Sequence, residues 1–219
     1  MFGLLTYKPQ IAVFSLILLF VTKNWKTLGW TIVFSVLSVA LSGAIFGFDT
    51  WINFLQSLSN SATGILDSNW KQLAEIQPSF FINLRLAGLK DGLNYAILGV
   101  TGIIVTLAAR WVFSHTKRMA LRGAVLVLGT FLIIPYFLQY DLMILSIPLI
   151  LLIYDCMLYG CRPIEIALLG LLWAIPFLDW TLVRLIYVHV CPFILMVTLA
   201  MTVDRVKRTG QAGDRIEAK

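Results

Sequence analysis

Long apolar segments dominate the 219-residue sequence and leave few ways in which it can fold. A helix needs about 20 mostly apolar residues to cross the hydrocarbon core of a bilayer. By this criterion we predict seven membrane-spanning helices, at residues 2 or 10 to 21, 28–46, 93–113, 121–134, 142–159, 164–177 and 182–203. The predicted fold class is therefore all-α, a polytopic membrane bundle of about seven transmembrane helices.

The composition supports this fold class and excludes several others. Hydrophobic residues make up 59% of the chain and charged residues 13%, whereas soluble proteins carry about 25% charged residues. So little charge excludes a soluble enzyme, a disordered chain and a nucleic-acid-binding domain. The net charge of +6 arises from basic residues between the apolar segments, and membrane topology accounts for that placement. We expect no nucleic-acid partner.

The distribution of Lys and Arg predicts how the chain is oriented. Twelve of these residues lie in or beside the connections after the first, third and fifth predicted spans and in the carboxy-terminal tail. Five lie in the amino terminus and the alternate connections. Because basic residues stay on the cytoplasmic side, we predict an outside amino terminus and a cytoplasmic carboxy terminus. The predicted domains are a transmembrane bundle over 1–203, with an outer loop at 47–91, and a cytoplasmic basic tail over 204–219.

Prolines mark several predicted helix ends. Pro9 and Pro163 suit the first turn of a helix, where the missing N–H group costs nothing. Pro148 and Pro192 fall inside predicted spans and are expected to kink them.

The outer loop contains an amphipathic pattern. Trp51, Phe54, Leu55 and Leu58 recur at helical spacing after Asp49 and Thr50, which are possible caps. We predict a helix that lies in the membrane interface. Its apolar face either packs in the headgroup layer or forms a lid or acceptor platform over a lipid-facing site.

The residue types that bind metals do not form a recognisable site. Cys156, Cys161 and Cys191 lack CxxC spacing, and His115 and His189 have no ligand partner three or four residues away. His189 falls in the last predicted span, where a satisfied hydrogen bond is its expected role. We therefore expect no metal and no cofactor.

The remaining charges near the predicted spans have structural interpretations. Asp155 and Glu165 flank Arg162 and are expected to solvate that cytoplasmic turn. Asp179 and Arg184 fall in or beside the predicted connection between the last two spans and could pair there.

Polar residues from three stretches of sequence are predicted to lie at the outer face. Lys8 and Arg85 could hold the phosphate of a lipid-linked donor, and Asp141 could orient a sugar hydroxyl or pair with one of these cations. Each also has a common structural role, because interfacial cations reach to headgroups, tyrosines form aromatic belts and Asp141 could cap a helix. The candidate substrate-binding residues are Lys8, Gln10, Arg85, Tyr136, Tyr140 and Asp141.

Four segments carry a resemblance to a known family. They are residues 4–10 (LLTYKPQ), 46–51 (FGFDTW), 78–88 (PSFFINLRLAG) and 134–142 (IPYFLQYDL). In order and spacing they resemble the later half of glycosyltransferase family 87, membrane enzymes of the GT-C type that use polyprenyl-phosphate sugars.

The resemblance implies a hexosyltransferase, with mannose as a candidate sugar, in the bacterial inner (plasma) membrane. The sugar would pass from a polyprenyl-phosphate donor to a glycan or glycolipid acceptor at the outer face, with cations on the leaving phosphate and a carboxylate base. GT-C enzymes carry their key acidic residue in the amino-terminal half. This chain has no counterpart to that half, so the catalytic base is unassigned and Asp141 is only a candidate. We expect a carboxy-terminal portion of a larger enzyme, whose partner is the missing half.

A second hypothesis is a non-enzymatic membrane protein, such as a lipid or sugar transporter, a flippase subunit or a small scaffold. Coupled transporters usually place ionisable residues inside their spans. The predicted span interiors hold hardly any apart from His189, which favours the enzyme.

Overall fold

The computed structural model describes residues 9–63 and 74–216, and within these ranges every regular element is helical. Short 3-10 turns lie at Ala74–Ile76 and Gln139–Leu145. The chain divides into two compact units, Met1–Ala74 and Glu75–Lys219. The α-helices are α1 (Pro9–Val21), α2 (Trp25–Phe46), α3 (Asp49–Thr63), α4 (Phe80–Leu86), α5 (Asp91–His115), α6 (Met119–Ile133), α7 (Ser146–Tyr159), α8 (Pro163–Ile186) and α9 (Cys191–Ile216).

The helices confirm the predicted all-α membrane fold. Among the described residues, four segments are long and apolar enough to cross a membrane, namely α2, α5, the continuous stretch Gln139–Tyr159 and α8. Shorter apolar helices lie at Ile11–Val21 and Met119–Ile133. Large apolar side chains stay exposed along α2 and α5, including Val36, Leu41, Ile45, Ile103 and Ile104, each more than 60% exposed. Lipid can cover such surfaces, whereas water cannot do so favourably.

The predicted boundary between the last two spans is wrong. Instead of stopping at Phe177, α8 continues to Ile186 and is ended by Tyr187, which adopts a left-handed conformation with φ 54°. Asp179 is therefore inside a helix and not in a connection. The sequence suggested a break because an acidic residue in a membrane helix is costly. Here Asp179 is buried with hydrogen-bond partners that offset this cost.

The prolines also depart in part from prediction. Pro163 occupies the first turn of α8 and Pro9 is the first residue of α1, as predicted. Pro148 and Pro192 are the third and second residues of their helices. A proline at such a first-turn position removes no hydrogen bond within its α-helix, so neither residue has to kink the helix as predicted. Pro176, in contrast, lies in the interior of α8, well beyond its first turn.

In the first unit, the turn between α2 and α3 is built around two glycines. Gly47 ends α2 with φ +86°, which favours glycine. The Phe48 ring then lies against Gly43, where a Cβ atom would come within 2.5 Å of it. The indole N–H of Trp51 donates to Ser42 Oγ at 2.8 Å. The turn thus ties the start of α3 to the end of α2.

The helix predicted from the apolar stripe is confirmed as α3, which starts at Asp49. Trp51 and Phe54 are half-buried and in edge-to-face contact, while Leu55 is 59% exposed. The side chain of Leu58 lies outside the described residues. Interfacial location remains a prediction.

We expect the double variant Trp51→Asp, Leu55→Asp to fold poorly in membranes, because it puts two charges on the face that needs an apolar partner. Fluorescence-detected size exclusion of the solubilised protein measures the folded fraction. The double variant Asn53→Asp, Gln56→Asp is the control, because it adds the same charge at exposed polar positions of α3. Equal folded fractions in the two double variants would show that the apolar face is unimportant.

In the second unit, α6 is the central helix. It packs against α5, α7 and α9, and α8 packs against α7 and α9. Its side chains Leu121, Val125 and Leu128 are fully buried. Burying each such side chain contributes roughly 1.5–3 kcal/mol.

Candidate functional site

Side-chain contacts gather the connections of the second unit into two groups. The α4 end comprises residues 77–91, 134–141 and 187–190, and the charged end comprises residues 116–118, 155–165 and 204–209. These groups alternate along the chain, as the connections of a membrane bundle must. Within the second unit, two stretches predicted to be outer, 77–91 and 134–141, fall at the α4 end, and two predicted to be cytoplasmic, 116–118 and 160–163, fall at the charged end. Which end faces outside remains a prediction.

Two of the four family-like segments meet at the α4 end. Ser79 caps α4 by accepting the N–H of Ile82, and its hydroxyl donates to the Pro135 carbonyl at 2.7 Å. The segments 78–88 and 134–142 are thereby joined, although 56 residues separate the bonded pair.

Arg85 is held rigidly within this end. Only 6% of the residue is exposed, and Nε and Nη2 donate to the two carboxylate oxygens of Asp91, each at 2.7 Å. The guanidinium also lies 5.0 Å from the centre of the Phe81 ring, which contacts the ring of Tyr95. The Asp91 side chain is 54% exposed. The result is a buried cation whose carboxylate partner reaches solvent.

Sequence reasoning missed Asp91. The available signal is that Asp91, six positions after Arg85, lies in the first turn of a helix. A helix amino terminus favours an acidic side chain at such a position. Asp91 lies outside the family-like segments, so the resemblance does not point to it.

The other candidates are placed as follows. Asp141 is 4% exposed and accepts the N–H of Leu138 at 3.0 Å, which caps the 3-10 turn before α7. Tyr136 is half-buried and Tyr140 is 65% exposed. The side chains of Lys8 and Gln10 lie outside the described residues. The predicted meeting of Lys8, Arg85 and Asp141 around one cavity therefore stays a prediction.

A buried dyad that the sequence did not suggest lies at the same end. His189 Nδ1 and Asp179 Oδ2 share a hydrogen bond of 2.7 Å, and Asp179 Oδ1 accepts the N–H of Cys191. His189 precedes α9 instead of lying in a span, but its satisfied hydrogen bond is as expected. Asp179 does not pair with Arg184, which instead lies 3.5 Å from Glu75 and over the Trp180 ring. The long α8 accounts for this, because it points Arg184 to the surface.

Asn83 fastens α4 to the turn that contains His189. Its amide nitrogen donates to the His189 carbonyl at 2.7 Å, and its amide oxygen accepts the His189 N–H at 2.8 Å. We expect Asn83→Ala to lower the free energy of unfolding by about 2 kcal/mol, because two backbone groups lose their partners. Denaturant titration in mixed micelles measures the change. Asn83→Asp keeps one acceptor oxygen and should cost less, so an Ala variant as stable as wild type would contradict the fastening role.

The charged end contains a buried network of ion pairs. Asp155 pairs with Arg118 at 3.1 Å and with Arg205, while Glu165 pairs with Arg205 at 2.9 Å and with Arg208. Asp155 and Glu165 are each 1% exposed. The prediction that they solvate a turn is therefore wrong, because their partners come from 37 to 50 residues away along the chain.

Arg208 connects this network to the surface. Its partial burial alone would lower the pKa of the guanidinium, but hydrogen bonds to Asp204 and Glu165 hold that pKa above its usual value. α9 is continuous past Val203, and Arg205 within it is buried. The division of the chain at residue 204 remains a prediction.

These features define the class of protein. The described helices, their apolar exposed faces and the alternating connections are those of a polytopic integral membrane protein. The family model of glycosyltransferase family 87 matches residues 1–135, more than half of the chain. The chain therefore belongs to glycosyltransferase family 87. No curated protein and no protein of known structure matches it significantly.

Proposed function

We propose that this chain transfers a hexose, such as mannose, from a polyprenyl-phosphate donor to a glycan or glycolipid acceptor at the outer face of the bacterial plasma membrane. The family match over residues 1–135 carries this proposal.

Arg85 is the proposed ligand of the donor phosphate. A guanidinium fork binds a phosphate in the same bidentate way as it binds a carboxylate. Because Asp91 already holds Nε and Nη2 in that geometry, the cation needs little reorganisation when a phosphate takes the place of the carboxylate. The exposure of Asp91 gives the phosphate a route to the guanidinium.

The remaining candidates have supporting roles in this proposal. Lys8 would add a second cation to the phosphate, and Gln10, Tyr136 and Tyr140 would contact sugar or prenyl groups. Asp141 would orient a sugar hydroxyl in addition to capping its turn.

The alternative is a transporter or flippase subunit. Ionisable residues inside membrane helices often mark ion pathways, and the structure places Asp155 in α7 and Asp179 in α8, whereas His189 lies between α8 and α9. Both are held in buried ion pairs or hydrogen bonds with protein groups. Such pairing favours a structural role over an ion pathway.

A transfer assay tests the proposed function. The purified chain is reconstituted into vesicles with polyprenyl phosphates that carry labelled mannose, glucose or galactose, and release of the label from the donor lipid and binding of that lipid are both measured. We expect binding, and discharge of one donor to an acceptor, but no use of the matching sugar nucleotide. Vesicles that neither bind nor discharge any donor would overturn the proposal. Movement of a fluorescent polyprenyl phosphate across those vesicles would indicate the transporter.

The proposed orientation predicts the labelling of two exposed lysines. In a Cys161→Ser background, Lys90→Cys at the α4 end should react with an impermeant maleimide in intact cells, whereas Lys207→Cys at the charged end should react only after permeabilisation. Each introduces one thiol at an exposed position. The reverse pattern would show that the topology is inverted and that the α4 end does not lie at the outer face.

A further inference from the structure

Two of the three cysteines meet at the turn between α7 and α8. Cys156 lies in the last turn of α7, and Cys161 lies just before α8. The Cys161 thiol donates to Cys156 Sγ across 2.8 Å. Cys161 is exposed, whereas Cys156 is 9% exposed. One thiol of the pair is therefore open to reagents and the other lies behind it.

The network at the charged end holds the backbone of this turn. Arg205 Nη2 donates to the carbonyls of Gly160 and Asp155, at 2.8 and 2.9 Å. Gly160 itself has φ +79°, a conformation that favours glycine and reverses the chain. The two sulfur atoms are thus brought together by a turn that is anchored on both sides of Cys156.

We propose that Cys156 and Cys161 form a reversible dithiol modification site that closes to an intramolecular disulfide. The co-reactant is a small-molecule disulfide of the glutathione type, RSSR. The Cys161 thiolate attacks one sulfur of RSSR, which forms a mixed disulfide and releases RS⁻. The Cys156 thiolate then attacks Cys161 Sγ and displaces the second RS⁻. Two protein thiols are oxidised, RSSR is reduced to two RSH, and the two thiol protons end on those products.

The competing use of the same atoms is a metal site. The ligand atoms of Cys156, Cys161 and Glu165 all lie within 4.8 Å of one another. However, Glu165 already accepts hydrogen bonds from Arg205, Arg208 and the N–H of Arg162. A cation would have to displace these donors and lie beside two guanidinium groups, whereas a disulfide is neutral. The charges therefore favour the disulfide.

Intact-mass spectrometry of the purified full chain tests the proposal. After full reduction, the chain is treated with oxidised glutathione and then with an alkylating maleimide under denaturing conditions. We expect a loss of about two mass units, one for each thiol hydrogen, and one remaining alkylation, at Cys191. Because Cys191 is fully buried, it serves as the internal control that should stay reduced in the folded chain.

Single variants separate the proposed pair from other outcomes. Cys156→Ser should stop at a glutathione adduct on Cys161, and Cys161→Ser should gain neither an adduct nor a disulfide. A wild-type chain that retains three alkylatable thiols, or that stops at the adduct, would overturn the proposal. So would one equivalent of zinc bound from zinc chloride that shields both thiols from glutathione, because the site would then hold a metal.

Discussion

Arg85→Ala is expected to lower the rate of sugar transfer from a polyprenyl-phosphate donor by roughly a hundredfold, the scale of losing one preorganised donor to a developing charge. Negative charge grows on the phosphate as the glycosidic bond breaks. A cation that is already in place stabilises that state without reorganisation, and Arg85 is buried and oriented by Asp91. The rate is measured as donor discharge by reconstituted enzyme that contains this chain.

Three variants distinguish phosphate binding from general damage. Arg85→Lys keeps the charge but not the fork, so it should restore only part of the rate. Asp91→Asn keeps the side-chain shape and removes the competing charge, so the KM for the donor should stay the same or fall. Arg184→Ala is the matched control, because it removes an exposed arginine that pairs with Glu75 at 3.5 Å. If Arg85→Ala transfers sugar as fast as Arg184→Ala, Arg85 is not the phosphate ligand.

The helices could be predicted because membrane insertion depends on local composition. An apolar segment of sufficient length must be helical to satisfy its backbone in lipid, and this depends only on neighbouring residues. The predicted helix end at Phe177 is wrong because the true end depends on residues outside the segment. Asp179 can remain inside a helix because it bonds to His189. The hydropathy of the segment around Asp179 gives no information about that bond.

The site could be predicted only where sequence and topology coincide. The α4 end can be predicted as a common region because the connections alternate and two of the family-like segments lie in them. The bond from Ser79 to Pro135 joins two of those segments. The pairing of Arg85 with Asp91 cannot be predicted in this way, because a bidentate pair depends on the direction in which α5 leaves the loop.

The buried charges at the charged end are the feature that the sequence reveals least. Asp155 and Glu165 look like solvated residues when they are considered beside Arg162 alone. Their burial requires α9 to bring Arg205 against both carboxylates, and that packing depends on several helices at once. The position of charged residues near a predicted span therefore does not show whether their side chains are solvated or paired with one another.

Arg205→Met is expected to lower the free energy of unfolding by about 3–5 kcal/mol, the cost of removing one partner from a buried ion pair. Methionine preserves much of the side-chain volume, so the loss reports the charge and not a cavity. Arg205 donates to Asp155, to Glu165 and to the Gly160 carbonyl. Its removal leaves two carboxylates buried with fewer donors. Denaturant titration in mixed micelles measures the change.

The exposed pair at the same end provides the matched control. Arg162 lies 3.8 Å from Asp204, and both side chains are more than half exposed. Arg162→Met should therefore change the stability by less than about 1 kcal/mol. Arg205→Lys should be nearly as damaging as Arg205→Met, because one ammonium cannot reproduce a fork that bonds three groups. If Arg205→Met lowers the free energy of unfolding no more than Arg162→Met does, the two carboxylates are hydrated or protonated in the variant. The charged end is then not a dry network that holds α7, α8 and α9 together.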